Sequence, residues 1–153
     1  MFIAFLDADD IWPAKKLQIQ VDYLREHPTV MYTISKINNF PEPGLNINPQ
    51  LLQSILKSDQ IGMATIVARK TVFDQVGGFN PSYQVGEDFE WFTRAKDAGI
   101  PMVILPDVLL HRRIHNSNTS ISQPQVSKTA RLRTIKASID RQREKKAEKN
   151  GTE

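Results

Sequence analysis

The chain has 153 residues, 40% of them hydrophobic, enough for one domain with a real core. It contains no cysteine, so disulfides, thiolate metal sites and a cysteine nucleophile are excluded, and any metal chemistry must use oxygen and imidazole. No apolar run is long enough to span a bilayer, and the N-terminus lacks a basic flank and small-residue cleavage site, which predicts a soluble, unexported protein. The net charge of +3 is uneven: residues 1–123 carry 11 Lys/Arg and 13 Asp/Glu, whereas residues 124–153 carry 9 and 4. A basic run of this kind can hold nucleic acid or an anionic membrane face but is most often solvated helix surface, and this one has no aromatic residue to stack on bases or anchor in headgroups, so no nucleic-acid partner is expected.

In chain order, Phe2-Ile3-Ala4-Phe5-Leu6 is an apolar run without alternation, as in a strand covered on both faces. From Pro13 the pattern turns helical, with Leu17, Val21 and Leu24 on one side, and the helix should stop near His27-Pro28. Residues 29–34 are rich in β-formers, and NNFPEPGLNINP (38–49) reads as a loop by its Pro, Gly and Asn content. Leu51 to Leu56 form a short amphipathic helix, and Ala64 to Ala68 a strand. A helix from Lys70 should be capped by Gly77-Gly78. After the loop at 80–86, another runs from Glu87-Asp88 to Gly99. Pro101 to Leu105 reads as a strand and LLHRRIHNSNTS (109–120) as an irregular polar segment. After Pro124 comes one long polar helix with a thin apolar stripe of Val126, Ala130, Ile135 and Ile139. The alternation of strands and helices predicts an α/β fold with a mostly parallel sheet flanked by helices, residues 1–123 forming the domain and 124–153 a basic helical tail.

Ligands of open α/β sheets collect beyond the carboxyl ends of the strands, where FLDADDIW (5–12) places Asp7 and Asp9. In an extended segment these two would face one ligand, and a divalent cation would relieve their repulsion while holding diphosphate oxygens. Helix capping accounts for one of the three aspartates and leaves the others without a role. In GEDFEWFTR (86–94), an acid at a helix start is kept ionised by the helix dipole and can take a proton from an attacking hydroxyl. Trp91 and Phe92 read as core, and Arg94 as the partner of a nearby acid. In HRRIHNSNTS (111–120), imidazole and guanidinium groups could neutralise charge on a departing phosphate.

Together these segments resemble family 2 glycosyltransferases of the GT-A fold. FLDADDIWPAKKLQIQ is similar to the family's metal-binding DXD region, ARKTVFDQVGGFNPSYQVGEDFEWFTRAKDAG to its acceptor-side block, and RRIHNSNTS to its Arg-x-His segment. The resemblance covers roughly residues 2–120. It implies Asp9 as ligand of Mn²⁺ or Mg²⁺, Asp7 as a contact to the nucleotide's ribose that supports the metal, and His115 as a metal or diphosphate contact, with Arg113 as a second contact to the leaving group. It implies Asp88 as general base on the acceptor hydroxyl, with Glu87 holding the acceptor or the loop. The implied reaction is inverting transfer from a nucleotide-diphosphate sugar to a saccharide, lipid-linked or protein acceptor. The implied location is the cytoplasm, either free or peripheral at the cytoplasmic membrane face.

Family members normally open with a Pro-x-Tyr-Asn-like strand and βα units that bind the nucleotide base, and no such sequence precedes Phe2. The expectation is therefore a partial GT-A domain, its C-terminal half, without the N-terminal nucleotide-binding half. Its first strand should present a hydrophobic edge that favours self-association or a partner chain. A non-catalytic remnant or assembly module of a split transferase would keep the same motifs. FLDAD also resembles the nucleophile motif of haloacid-dehalogenase-type phosphatases, with Asp7 as nucleophile and Asp9 as acid and base. There, however, Ile11 stands where Thr or Val is usual, and Glu87-Asp88 follows a loop.

Overall fold

In a computed structural model, residues 1–58 and 61–150 are described, without the side chains of Ser120, Lys149 and Asn150. The chain runs β1 (Phe2–Ala4), α1 (Lys16–Glu26), β2 (Tyr32–Pro41), α2 (Pro49–Leu56), a 3₁₀ turn (Met63–Thr65) and β3 (Val67–Arg69). It continues through α3 (Lys70–Val76), α4 (Glu87–Asp97), β4 (Met102–Ile114), the short α5 (Thr119–Ser122) and α6 (Pro124–Asn150). The basic tail is thus helical as far as Asn150, and residues 151–153 lie outside the described residues. Among the described residues no helix is long and apolar enough to cross a membrane.

The fold is mixed α/β. Its four strands lie in the order β1-β3-β2-β4. β1, β2 and β4 run the same way, while β3 fills the slot between β1 and β2 antiparallel to both. β2 alternates strictly at its start. Tyr32 and Ile34 face a core of Ile66, Val72, Trp91 and Ala95, while Thr33 turns to α1 and accepts a hydrogen bond from Gln20. Trp91 is the centre of that core, stacked on Phe73 at 4.7 Å and edge-on to Tyr32 at 5.9 Å, with its indole N–H given to the carbonyl of Gly77. A buried indole needs such an acceptor, and Gly77, in the left-handed region at φ 84°, ends α3 where its carbonyl can supply it. Arg94 pairs with Glu90 at 2.7 Å, as its spacing predicts.

Two expectations are corrected. The first strand covers only residues 2–4 and is half-buried, because it lies at the sheet's edge with β3 as its strand neighbour. Asn38 to Pro41 belong to β2, and 109–114 belong to β4, because the two strands pair in parallel from Tyr32↔Met102 to Pro41↔Ile114. Tertiary pairing overrides the loop-like composition of both segments. Register shifts between Ile34 and Ile37 accommodate extra residues of β4 around Pro106, which an edge strand tolerates. Of the apolar stripe of α6, Ala130 lies against the loop before α4, where a Cβ at Gly86 would stand 3.5 Å from its own. Val126, Ile135 and Ile139 are exposed, while Thr134 is buried and Ser138, Arg141 and Gln142 bond the carboxylate of Asp97 at the end of α4. Burial alone would raise the pKa of Asp97, but the hydrogen bonds from Gln142, Arg141 and Ser138 together hold it below the usual carboxylate range.

On the other face of the sheet, Lys16 is fully buried with neutral partners. Its ammonium donates to Gln20 Oε1 at 2.6 Å and the carbonyl of Thr65 at 3.0 Å, and lies 5.1 Å from the Trp12 ring centroid. Burial lowers its pKa from 10.5 to about 8. A lysine depressed on folding destabilises the native state fully below its folded pKa, and the penalty fades as pH climbs towards the unfolded value. Urea unfolding should therefore show the wild type gaining about 2–3 kcal/mol on Lys16→Met between pH 8 and 10.5. A pH-independent difference would mean that the ammonium is not desolvated.

Candidate active site

The aspartate segment is a turn, not an extended strand end: the Asp10 N–H donates to the carbonyl of Asp7 at 3.2 Å. The turn sends Asp7 and Asp10 into one cavity and Asp9 away towards β4, so the expectation that Asp7 and Asp9 share a direction is corrected. Helix capping is not their purpose, because α1 starts at Lys16 with no side-chain cap. Two backbone hydrogen bonds between Ile11 and His111, of 3.0 and 2.9 Å, pin the end of the turn to the outer edge of β4. The Arg113 N–H adds a third, to Asp10 Oδ1 at 3.1 Å.

β4 therefore decides which basic groups reach the site. Leu110 and Arg112, with Ile37 of β2, line the cavity. The alternate residues point to the other side, His111 near Asn38 at 3.2 Å and Arg113 with its guanidinium 5.9 Å from the Phe40 ring centroid. Arg112 is thus the cavity arginine, and the sequence-based choice of Arg113 for the leaving group puts the guanidinium on the opposite face. Only the parallel register of β2 with β4 could have distinguished the two, and the composition of 109–114 conceals it.

The cavity holds about 370 Å³ and is walled by Asp7 and Asp10, the 62–64 segment, the loop Phe79–Tyr83, Glu87 and Asp88 of α4, and Arg112. Four segments far apart in the chain converge here, and Glu87 and Asp88 line the same cavity as Asp7. The 62–64 wall is fixed from behind by the indole N–H of Trp12 on the carbonyl of Ala64 at 3.0 Å and by the Lys16 and Gln20 bonds to Thr65. Sequence reasoning missed this role of Trp12, Lys16 and Gln20; the spacing of Lys16 and Gln20, one turn apart on one helix, was its visible trace.

Among the described residues, four carboxyl groups and one arginine line the cavity and set its electrostatics. Asp7, exposed as a residue but with its carboxyl partly desolvated in the cleft, has its pKa raised by burial and then by the charge of Asp9. Asp10 is raised by burial, with the Arg113 N–H opposing. Asp88 is raised by burial despite its 2.6 Å hydrogen bond from the Phe89 N–H, with Glu87 adding to the rise and Arg131 and Arg112 opposing it. Asp9 goes the other way, held low by His115. His115 Nε2 lies 2.7 Å from Asp9 Oδ2 and 3.0 Å from Asn118 Nδ2, and its backbone N–H donates to Asn118 Oδ1 at 2.7 Å. Asn118, itself buried, fixes the orientation of the imidazole.

Among the described residues no three His, Asp or Glu side chains converge into a ready metal cage. The donors that do meet, a carboxylate and an imidazole beside an acidic cavity, fit an ion that takes two ligands from the protein and the rest from substrate oxygens and water, the usual habit of Mg²⁺ at phosphates.

A buried carboxylate whose pKa is raised on folding destabilises the native state above the usual carboxylate range and ceases to do so in acid. Asp88→Asn should accordingly leave Tm at pH 7 unchanged or raise it by up to about 4 °C, with the advantage vanishing below about pH 4. A clear loss of stability in calorimetry would show that the carboxylate is retained for the fold.

No family model matches the chain. It is 32% identical over 124 residues to WfgD of Escherichia coli, a UDP-Glc:alpha-D-GlcNAc-diphosphoundecaprenol beta-1,3-glucosyltransferase, covering 78% of this chain and 48% of WfgD. It is 26% identical over 127 residues to an uncharacterized glycosyltransferase of Haemophilus influenzae, covering 75% and 45% of the two chains. With the amylovoran biosynthesis glycosyltransferase AmsE of Erwinia amylovora it shares 25% identity over 118 residues, 72% of this chain and 44% of AmsE. The chain thus spans about half the length of the curated relatives it matches. Its fold is similar to that of S. aureus TarS 1-349, solved in complex with UDP-GlcNAc, with TM-score 0.64, 16% identity, and coverage of 92% of this chain and 42% of that one. In sequence the chain is similar to these glycosyltransferases over about half of their length, and its architecture is that of a partial GT-A-like fold.

Proposed function

We propose that the chain carries the acceptor and metal side of an inverting, nucleotide-sugar-dependent transferase of family 2, with residues 1–123 bearing the site and 124–153 an appended helix. The observation that carries this reading is the convergence of Asp7, Asp88 and Arg112 on one cavity, with Asp9 set against His115 at its side. Asp88 is the base: partly desolvated and with a raised pKa, it is a better proton acceptor than an ordinary carboxylate. The acceptor hydroxyl oxygen attacks the anomeric carbon as its proton passes to Asp88. The bond from that carbon to the diphosphate breaks on the opposite face, its electron pair leaving with the diphosphate. Glu87 positions the acceptor, Asp7 reaches the ribose, and Arg112 takes the leaving-group role that sequence alone gave to Arg113. Asp9 and His115 are the residues that would hold Mn²⁺ or Mg²⁺, which supplies positive charge beside the departing diphosphate.

The printed name of WfgD gives a UDP-sugar donor and a lipid-diphosphate-linked acceptor, and TarS was solved with UDP-GlcNAc. A uridine nucleotide donor and a polyprenyl-diphosphate sugar acceptor are accordingly the first to be tested, with the protein working in the cytoplasm at the membrane face. The edge of β1 is where a further strand, from a second copy or a partner, would add to the sheet.

Calorimetry with Mn²⁺ and UDP-, GDP- and dTDP-sugars should give heat with one nucleotide class, lost in Asp9→Ala. Absence of heat with every donor would rule out catalysis by this chain on its own. Asp88→Asn should lower transfer about 10²–10⁴-fold while donor binding stays intact; a fully active variant would remove Asp88 from the base role.

A further inference from the structure

α6 turns one face to α4 and leaves the opposite one to solvent. Ala130, Thr134, Ser138 and Arg141 turn to α4 and the loop before it: Thr134 is buried, a Cβ at Gly86 would stand 3.5 Å from that of Ala130, and Asp97 takes hydrogen bonds from Ser138 and Arg141. At 100° per residue, Leu132, Ile135 and Ile139 fall together on the far side, and they are 59%, 46% and 43% exposed. Lys128, Lys136, Arg143 and Lys146, all exposed, lie on or beside the same stripe. Asp140, Glu144 and Glu148 recur every four residues along a separate line of the helix, so cations share the sector of the three aliphatic residues and anions stand apart from it.

We propose that this outward face of α6 docks on a bilayer surface rich in anionic phospholipid, the three aliphatic side chains entering the headgroup boundary and the lysines and arginine lying among the phosphates. The choice of occupant follows from charge and size. Three aliphatic residues on one helix, with no aromatic anchor, fall well short of the roughly 800 Å² per partner of a stable protein interface. A lipid surface needs only shallow apolar insertion with electrostatic support, and each basic residue near an anionic surface strengthens binding several-fold. α6 is also tied to the cavity wall. Arg133 donates to Ser82 and lies over the Tyr83 ring at 4.5 Å, and Tyr83 is part of the cavity wall.

Flotation of the purified full chain with vesicles tests the surface without any nucleotide sugar, so its outcome is independent of the transfer reading. Binding to phosphatidylcholine vesicles containing about 30% phosphatidylglycerol should exceed binding to phosphatidylcholine alone by about tenfold or more, and should collapse in about 0.5 M NaCl. The triple variant Leu132→Glu, Ile135→Glu, Ile139→Glu should lose it, while Val126→Glu, on a different face of the same helix, should keep it. Should the triple variant fail to match the wild-type circular dichroism, the charge variant Lys136→Gln, Arg143→Gln, Lys146→Gln replaces it and should weaken binding at least tenfold. The proposal is overturned if phosphatidylglycerol gives no gain, if both variants float like the wild type, or if the stripe instead drives a dimer that ignores lipid.

Discussion

The pair of backbone hydrogen bonds between Ile11 and His111 is the constraint on which the site depends. It joins segments one hundred residues apart at the outer edge of β4, and its geometry is set by main-chain atoms rather than by side-chain identity. With the aspartate turn fixed there, Asp10 accepts from the Arg113 N–H and Asp9 meets His115, while Asp7 is left pointing into the cavity. Each of these charged contacts would be weak alone at a half-exposed surface. Anchored by the bridge, their side chains need little further ordering to remain together, which is the condition for a site that must hold mutually repelling carboxylates.

The opposite wall is built by different means. Lys16 and Gln20 donate hydrogen bonds to neutral oxygens of Thr33 and Thr65 beneath the sheet, and their common target, the Thr65 carbonyl, belongs to the turn that carries Gly62, Met63 and Ala64 into the cavity. A buried ammonium without a carboxylate is an expensive way to secure a turn, since desolvation opposes its charge. Polar bonds of this kind are directional where apolar contacts are not, so the turn cannot slide along α1.

The parts legible in the sequence were those with a local cause. The glycine that ends α3, the acids that open α4, the Arg94–Glu90 pair and the burial of Trp91 all follow from spacing or side-chain type within one turn or two. What sequence obscured depended on distant partners. Asn38 to Pro41 and residues 109–114 look like loops because each strand is justified only by the other. The choice between Arg112 and Arg113 inherits that ambiguity directly, because a one-residue change in strand phase exchanges the two faces. On α6 the aliphatic residues are what the sequence makes visible, whereas the helix is held by hydroxyl, amide and guanidinium groups that close on a single carboxylate, Asp97.

α4 presents Asp88 to the cavity from its first turn, seats Trp91 in the core from its middle, and offers Asp97 to α6 from its last residue. It acts as a ruler of eleven residues, about 16 Å long. Adding or deleting one residue between Phe89 and Lys96 would turn one end by 100° relative to the other, so the acid at the cavity and the acid beneath α6 could no longer both be in place. Substitutions along its exposed side are tolerable, but its length is not negotiable.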